Sequence, residues 1–119
     1  MNEASVTARL VQAVRSLPGF VVFKHNDAKT AGIPDVSVTA RGLTTWIEVK
    51  VGETIEGRQV QEITMMRLDR ASQGGAIYVL YSEGRTLIIK PGGLLIDSSD
   101  VNHDHKLVCA WLIKRHCRA

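Results

Sequence analysis

The stretch Ile33-Pro34-Asp35-Val36-Ser37-Val38-Thr39-Ala40-Arg41-Gly42-Leu43-Thr44-Thr45-Trp46-Ile47-Glu48-Val49-Lys50-Val51 decides how the chain is read. Before Arg41, the apolar Val36, Val38 and Ala40 alternate with Asp35, Ser37 and Thr39. After Gly42, Leu43, Thr45, Ile47, Val49 and Val51 alternate with Thr44, Trp46, Glu48 and Lys50. Successive side chains of a strand point to opposite faces, so each run predicts a strand. Two such runs around a dipeptide ending in glycine predict a hairpin with a two-residue turn. Ala40 then faces Leu43, Asp35 falls opposite Glu48, and Lys50 shares their face.

Like charges directly opposite on a sheet destabilise it, and Thr or Val would fill either position better. A divalent cation held by both carboxylates removes the conflict, and hard oxygen ligands suit Mg²⁺ or Mn²⁺. The Lys50 ammonium, on the same face, can stabilise charge developing on a phosphate or hold the attacking water. A metal, an acid pair and a lysine are the parts needed for phosphodiester hydrolysis. An isolated Glu-x-Lys on a strand usually marks a solvated face, but this one has a second carboxylate across the hairpin.

Outward from the hairpin, residues 3–17 carry Val6, Leu10, Val11, Val14 and Leu17 at helical spacing, stopped by Pro18-Gly19. Phe20 to Phe23 predicts a short strand, and the polar residues 24–32 a loop. Beyond a loop at 52–57, residues 58–71 read as a helix with Val60, Ile63, Met66 and Leu68 on its buried side. Residues 76–81 and 86–90 are strands around Ser82-Glu83-Gly84, and Pro91-Gly92-Gly93 closes the second. In the tail, Leu107, Val108, Trp111 and Leu112 have helical spacing; Val108 to Ile113 is apolar enough for a strand, and helix is the preferred reading. The expected order is αβββαββα around one mixed sheet flanked by helices, an α/β (α+β) fold in a single domain over residues 1–119.

At 119 residues the chain has room for one core, burying roughly two-thirds of its unfolded surface without disulfide or metal staples. Hydrophobic residues at 45% and charged residues at 23% rule out a disordered or collagen-like chain. No apolar run is long enough for a membrane span and the start lacks a signal-peptide pattern, so a cytoplasmic protein is expected. Fifteen Lys and Arg against twelve Asp and Glu give +3, compatible with a nucleic-acid partner. From His105 onward Lys106, Lys114, Arg115 and Arg118 stand without an acid; they can meet phosphates, or suit a helix C-terminus. Cys109 and Cys117 predict reduced thiols, and with His103 and His105 they match no zinc spacing. Ser98-Ser99 shows no nucleophile motif. His25, Asn26 and Lys29 sit in a polar loop from which they can touch DNA; Trp46 either flanks the cleft or covers the sheet beneath the second helix; Met65-Met66 reads as core.

The combination Gly32-Ile33-Pro34-Asp35, a hairpin, and Ile47-Glu48-Val49-Lys50 resembles the PD-(D/E)XK nuclease superfamily, more narrowly its VRR-NUC group, with archaeal-type Holliday junction resolvases as cousins. The resemblance runs over residues 3–90 in element order, its specific residues within 32–61. It implies a restriction-endonuclease-like core, with Asp35 and Glu48 as metal ligands, the Val49 carbonyl as a further ligand and Lys50 as the catalytic lysine. It also implies an acid from the first helix, for which Glu3 is the candidate. A glutamine on the helix after the lysine matches Gln61 or Gln59, with Gln61 preferred. The implied activity is a Mg²⁺-dependent DNA endonuclease, with Mn²⁺ as substitute, selective for branched DNA such as a Holliday junction and working in phage-type replication, recombination or repair. Symmetric cutting of a junction would need a homodimer. The alternatives are a non-catalytic nucleic-acid-binding or packaging accessory protein with this fold, and an RNA nuclease.

Overall fold

Arg41 and Gly42 both take positive φ, 54° and 78°, as a type I′ turn requires. Around them, in a computed structural model that describes residues 2–25, 33–52 and 59–117 (for residues 59 and 60 the backbone alone), the hairpin forms in the expected register. Strand β2 (Val36–Ala40) pairs antiparallel with β3 (Leu43–Val51), Ala40 opposite Leu43 and Val36 opposite Ile47. Helix α1 (Glu3–Arg15), capped by the Asn2 side chain on the Ser5 amide at 2.8 Å, precedes β1 (Val21–Lys24), which pairs antiparallel with β2. Helix α2 (Gln59–Ala71) crosses over to β4 (Ala76–Ser82), the parallel neighbour of β3. Strands β5 (Arg85–Ile89) and β6 (Leu95–Ser99) follow antiparallel, and α3 (His105–His116) ends the order. The six strands lie in sequence order in one sheet.

Alternation along the strands divides the core in two. On one face Val38, Ile47, Val49, Ile77 and Val79 pack with Leu10 and Val14 of α1 and Val108 and Leu112 of α3. On the other, Ala76, Tyr78, Leu80 and Ile89 pack against Met65, with Trp46, Leu68 and Leu87 at the margin. Each fully buried aliphatic side chain contributes about 1.5–3 kcal/mol, so both helix layers are held chiefly by burial.

The architecture agrees with the expected mixed sheet and helical tail, with two departures. The sequence reading ended the sheet at β5, whereas β6 adds an edge strand; Leu95-Ile96-Asp97-Ser98-Ser99 has no clean alternation, and its register slips at Ile88/Ile89. Helix α2 is also turned from its expected phase. Met65 is fully buried while Ile63 and Met66 are exposed, because the inward row is Gln61, Met65, Leu68 and then Ser72, with a glutamine and a serine among its members. The side chain of Val60 lies outside the described residues. At the far end, the buried His116 donates from Nδ1 to the Ala40 carbonyl (3.1 Å) and meets Thr45 Oγ1 through Nε2 (2.8 Å), tying α3 to the hairpin. Among the described residues no helix is long and apolar enough to cross a membrane.

Candidate active site

The β2–β3 ladder stops at Val36 and Ile47, and side chains take over one residue further out. The Asp35 amide donates to Glu48 Oε1 at 3.1 Å, and the Val49 amide donates to Asp35 Oδ2 at 2.9 Å. This exchange fixes both carboxylates on the face that the hairpin register predicts. Glu3, in the first turn of α1, completes the group: Glu3, Asp35 and Glu48 each offer a carboxylate oxygen, all within 4.8 Å of one another. Among the described residues this is the one cluster of metal-ligating type, so His103, His105, Cys109 and Cys117 do not form another.

Crowding has an electrostatic signature. Burial, and then the charge of Glu48, push the Asp35 carboxyl up to about 7 against the opposing pull of the Val49 amide. Lys50 Nζ lies 2.9 Å from Glu48 Oε2, with both side chains buried. That contact is an ion pair without hydrogen-bond alignment, and Nζ has no hydrogen-bond partner among the described residues. Gln61 Oε1, on the first turns of α2, is likewise buried and unpartnered. Buried polar atoms are nearly always satisfied in folded proteins, so a buried ammonium held beside the acid cluster by an ion pair alone leaves room for a further oxygen ligand. Three hard oxygen donors and an adjacent ammonium fit a divalent cation with water and phosphate oxygens around it.

The structure therefore brings together Glu3, Asp35, Glu48 and Lys50. Of the remaining expected residues, Val49 contributes its amide to Asp35, and Gln61 keeps an uncommitted oxygen. The side chain of Gln59, and Gly32, Asn26, Lys29 and Arg118, lie outside the described residues. Arg115 is engaged elsewhere, its Nη2 donating to the Gln73 carbonyl at 2.7 Å. Trp46 serves the second helix layer, its Nε1 donating to Ser72 Oγ at 3.1 Å, and also meets the His25 ring at 5.4 Å.

Two partners beside the site escaped sequence reasoning. Tyr78, paired with Glu48 across β3 and β4, donates to Glu62, whose other oxygen accepts from the Gly92 amide at 2.6 Å. Burial, then the bond to Glu62, keep the Tyr78 phenol protonated above its usual range. The parallel β3–β4 register that creates this neighbour depends on a crossover, which hydrophobic alternation does not encode.

No family model matches the sequence, and no curated protein matches it. Among solved structures the chain is similar to one described as a VRR_NUC domain, at 26% identity and TM-score 0.53, over 67% of this chain and 84% of that one. The mixed six-strand sheet flanked by helices is consistent with that likeness, and the fold is a VRR-NUC-like nuclease fold.

Proposed function

We propose that this chain is a divalent-metal-dependent DNA endonuclease, with Mg²⁺ as its ordinary ion and Mn²⁺ as a substitute. The observation that carries the reading is the meeting of Glu3, Asp35 and Glu48 within 4.8 Å beside a buried Lys50 that is ion-paired to Glu48. Asp35 and Glu48 hold the ion, with Glu3 and the Val49 carbonyl as further ligands. When bound, the ion supplies Lewis-acid activation of water and neutralises phosphate charge.

The chain's own groups do the rest. Lys50 directs its ammonium at the charge that gathers on the phosphate and orients the attacking water. Gln61 uses its free oxygen to hold that water or a ligand of the ion. The Asp35–Val49 and Asp35–Glu48 bonds keep the carboxylates in place, so the site needs little reorganisation. Branched DNA as preferred substrate, a homodimer with paired sites, a phage-type setting, a cytoplasmic location and a single domain over 1–119 extend the reading on the strength of the motif resemblance.

Labelled four-way junction, linear duplex, single-stranded DNA and RNA, each incubated with Mg²⁺, Mn²⁺ or EDTA, test it. Cleavage of DNA should require the metal, vanish in Asp35→Ala and Glu48→Ala, and fall by roughly a hundred-fold or more in Lys50→Ala. Metal-independent binding with no products would replace this reading by a packaging or accessory role, and cleavage confined to RNA would change the substrate.

A further inference from the structure

The register lays out the acid-bearing face of β1, β2 and β3 in rows. Phe23 stands opposite Ser37, and Ser37 opposite Trp46. One row on, about 7 Å along the strands, come His25, whose amide donates to the Asp35 carbonyl at 2.7 Å, then Asp35 itself and Glu48. The His25 ring leans back over the first row: Nε2 meets Ser37 Oγ at 2.8 Å, and the ring lies 5.4 Å from that of Trp46 at 31°. Ser37 is buried beneath it. Phe23 is 59% exposed and Val21 behind it 52%. Helix α2 seats Met65 on Ala76, Tyr78 and Leu80, so Trp46 lies at the margin of its layer.

Three rings thus line the approach to the carboxylates. An exposed cation reaches the edge strand of this face: Arg15, whose guanidinium donates to the Val22 carbonyl at 3.2 Å. Apart from Asp35 and Glu48, the described residues of β1, the hairpin and its lead-in carry no acid. Flat rings beside an exposed guanidinium complement a nucleobase with its backbone phosphates. A base inside a duplex is covered on both faces by its neighbours, so such a surface can stack only on an unpaired one.

We propose that Phe23, His25 and Trp46 form a stacking subsite for an unpaired base of a DNA strand, adjacent to the phosphate that the carboxylates and Lys50 address. The inference deepens the nuclease reading and rests on it. It makes the substrate a strand with at least one unstacked nucleotide at the cut: single-stranded DNA, a flap, or the open centre of a branch.

Trp111→Phe leaves Trp46 as the sole tryptophan of the two in the sequence. In Ca²⁺ buffer, an oligothymidylate of about ten nucleotides should quench its emission, and a blunt duplex of equal length should not. Phe23→Leu, an exposed position whose melting temperature serves as the folding control, should weaken strand binding about ten-fold, while Phe23→Tyr restores it. Equal quenching by the duplex, unchanged affinity in Phe23→Leu, or tighter binding of oligouridylate would overturn the assignment. Metal-dependent cleavage of duplex without these effects leaves the nuclease reading standing; quenching without cleavage of any nucleic acid removes that reading instead.

Discussion

Asp35 is held between an amide that favours its charge and two carboxylates that oppose it. Its folded value near 7 lies above the unfolded 3.8, so its contribution to stability is greatest below the unfolded value and is lost as pH rises through 7. In EDTA above that pH, Asp35→Asn should melt at or above the wild-type temperature by calorimetry, because an amide can still accept from Val49 and can donate to Glu48. A large drop would mark Asp35 as a structural partner of the Val49 amide. This residue was legible because a two-residue turn fixes hairpin register, and register fixes which side chains face each other. Glu3 was reachable only through the motif resemblance, since nothing in helical periodicity indicates how far a first-turn carboxylate extends. Phe23 was not legible as a site residue, because the polar residues 24–32 between β1 and β2 hide their pairing.

Helices and strands are joined here by a few polar braces as well as by burial. Asp69 near the end of α2 accepts from the Ala76 amide at 3.0 Å and from Lys90. Burial pushes its carboxyl up, but the Lys90 bond, the Ala76 amide and the charges of Lys90 and Arg115 outweigh it and hold it below its ordinary value. A lowered folded value stabilises above the unfolded pKa and is lost as pH falls through the folded one. Asp69→Asn should therefore melt below wild type at neutral pH, with the deficit closing on acidification, in parallel thermal melts. Thr45 Oγ1 sits between the Gly74 carbonyl (2.9 Å) and His116 Nε2 (2.8 Å), fully buried. Thr45→Val leaves those groups short of a partner and should cost about 1–3 kcal/mol in urea unfolding. Gly74 itself sits so close to β3 that an added Cβ would meet the Thr44 carbonyl and lie 2.7 Å from Thr45 Oγ1. None of these braces was legible, because most join residues 21 to 71 positions apart and the nearest, Asp69 to Ala76, spans the turn between α2 and β4. The misread phase of α2 has a related cause: its inward face includes Gln61 and Ser72, so apolar residues alone do not define it.

For the molecule as a whole, a site of mutually repelling carboxylates couples cation binding to folding. Mn²⁺ at a hundred times its Kd should raise stability by about 2.7 kcal/mol, read as a rise in Tm that EDTA reverses and Glu48→Gln abolishes. A Tm indifferent to Mn²⁺ would argue that the acid cluster binds no ion. The succession of elements along the chain and the faces of the hairpin followed from alternation and turn chemistry, whereas the β3–β4 crossover, the sixth strand and the seat of α3 followed from tertiary packing that overrides a weak local pattern. That seat has a consequence for vectorial synthesis. Thr45 waits 29 positions for the Gly74 carbonyl and 71 for His116, so the acid-bearing hairpin can leave the ribosome with its turn formed but its buried hydroxyl only half answered. The tail helix thus supplies the final brace under the strands that carry the carboxylates.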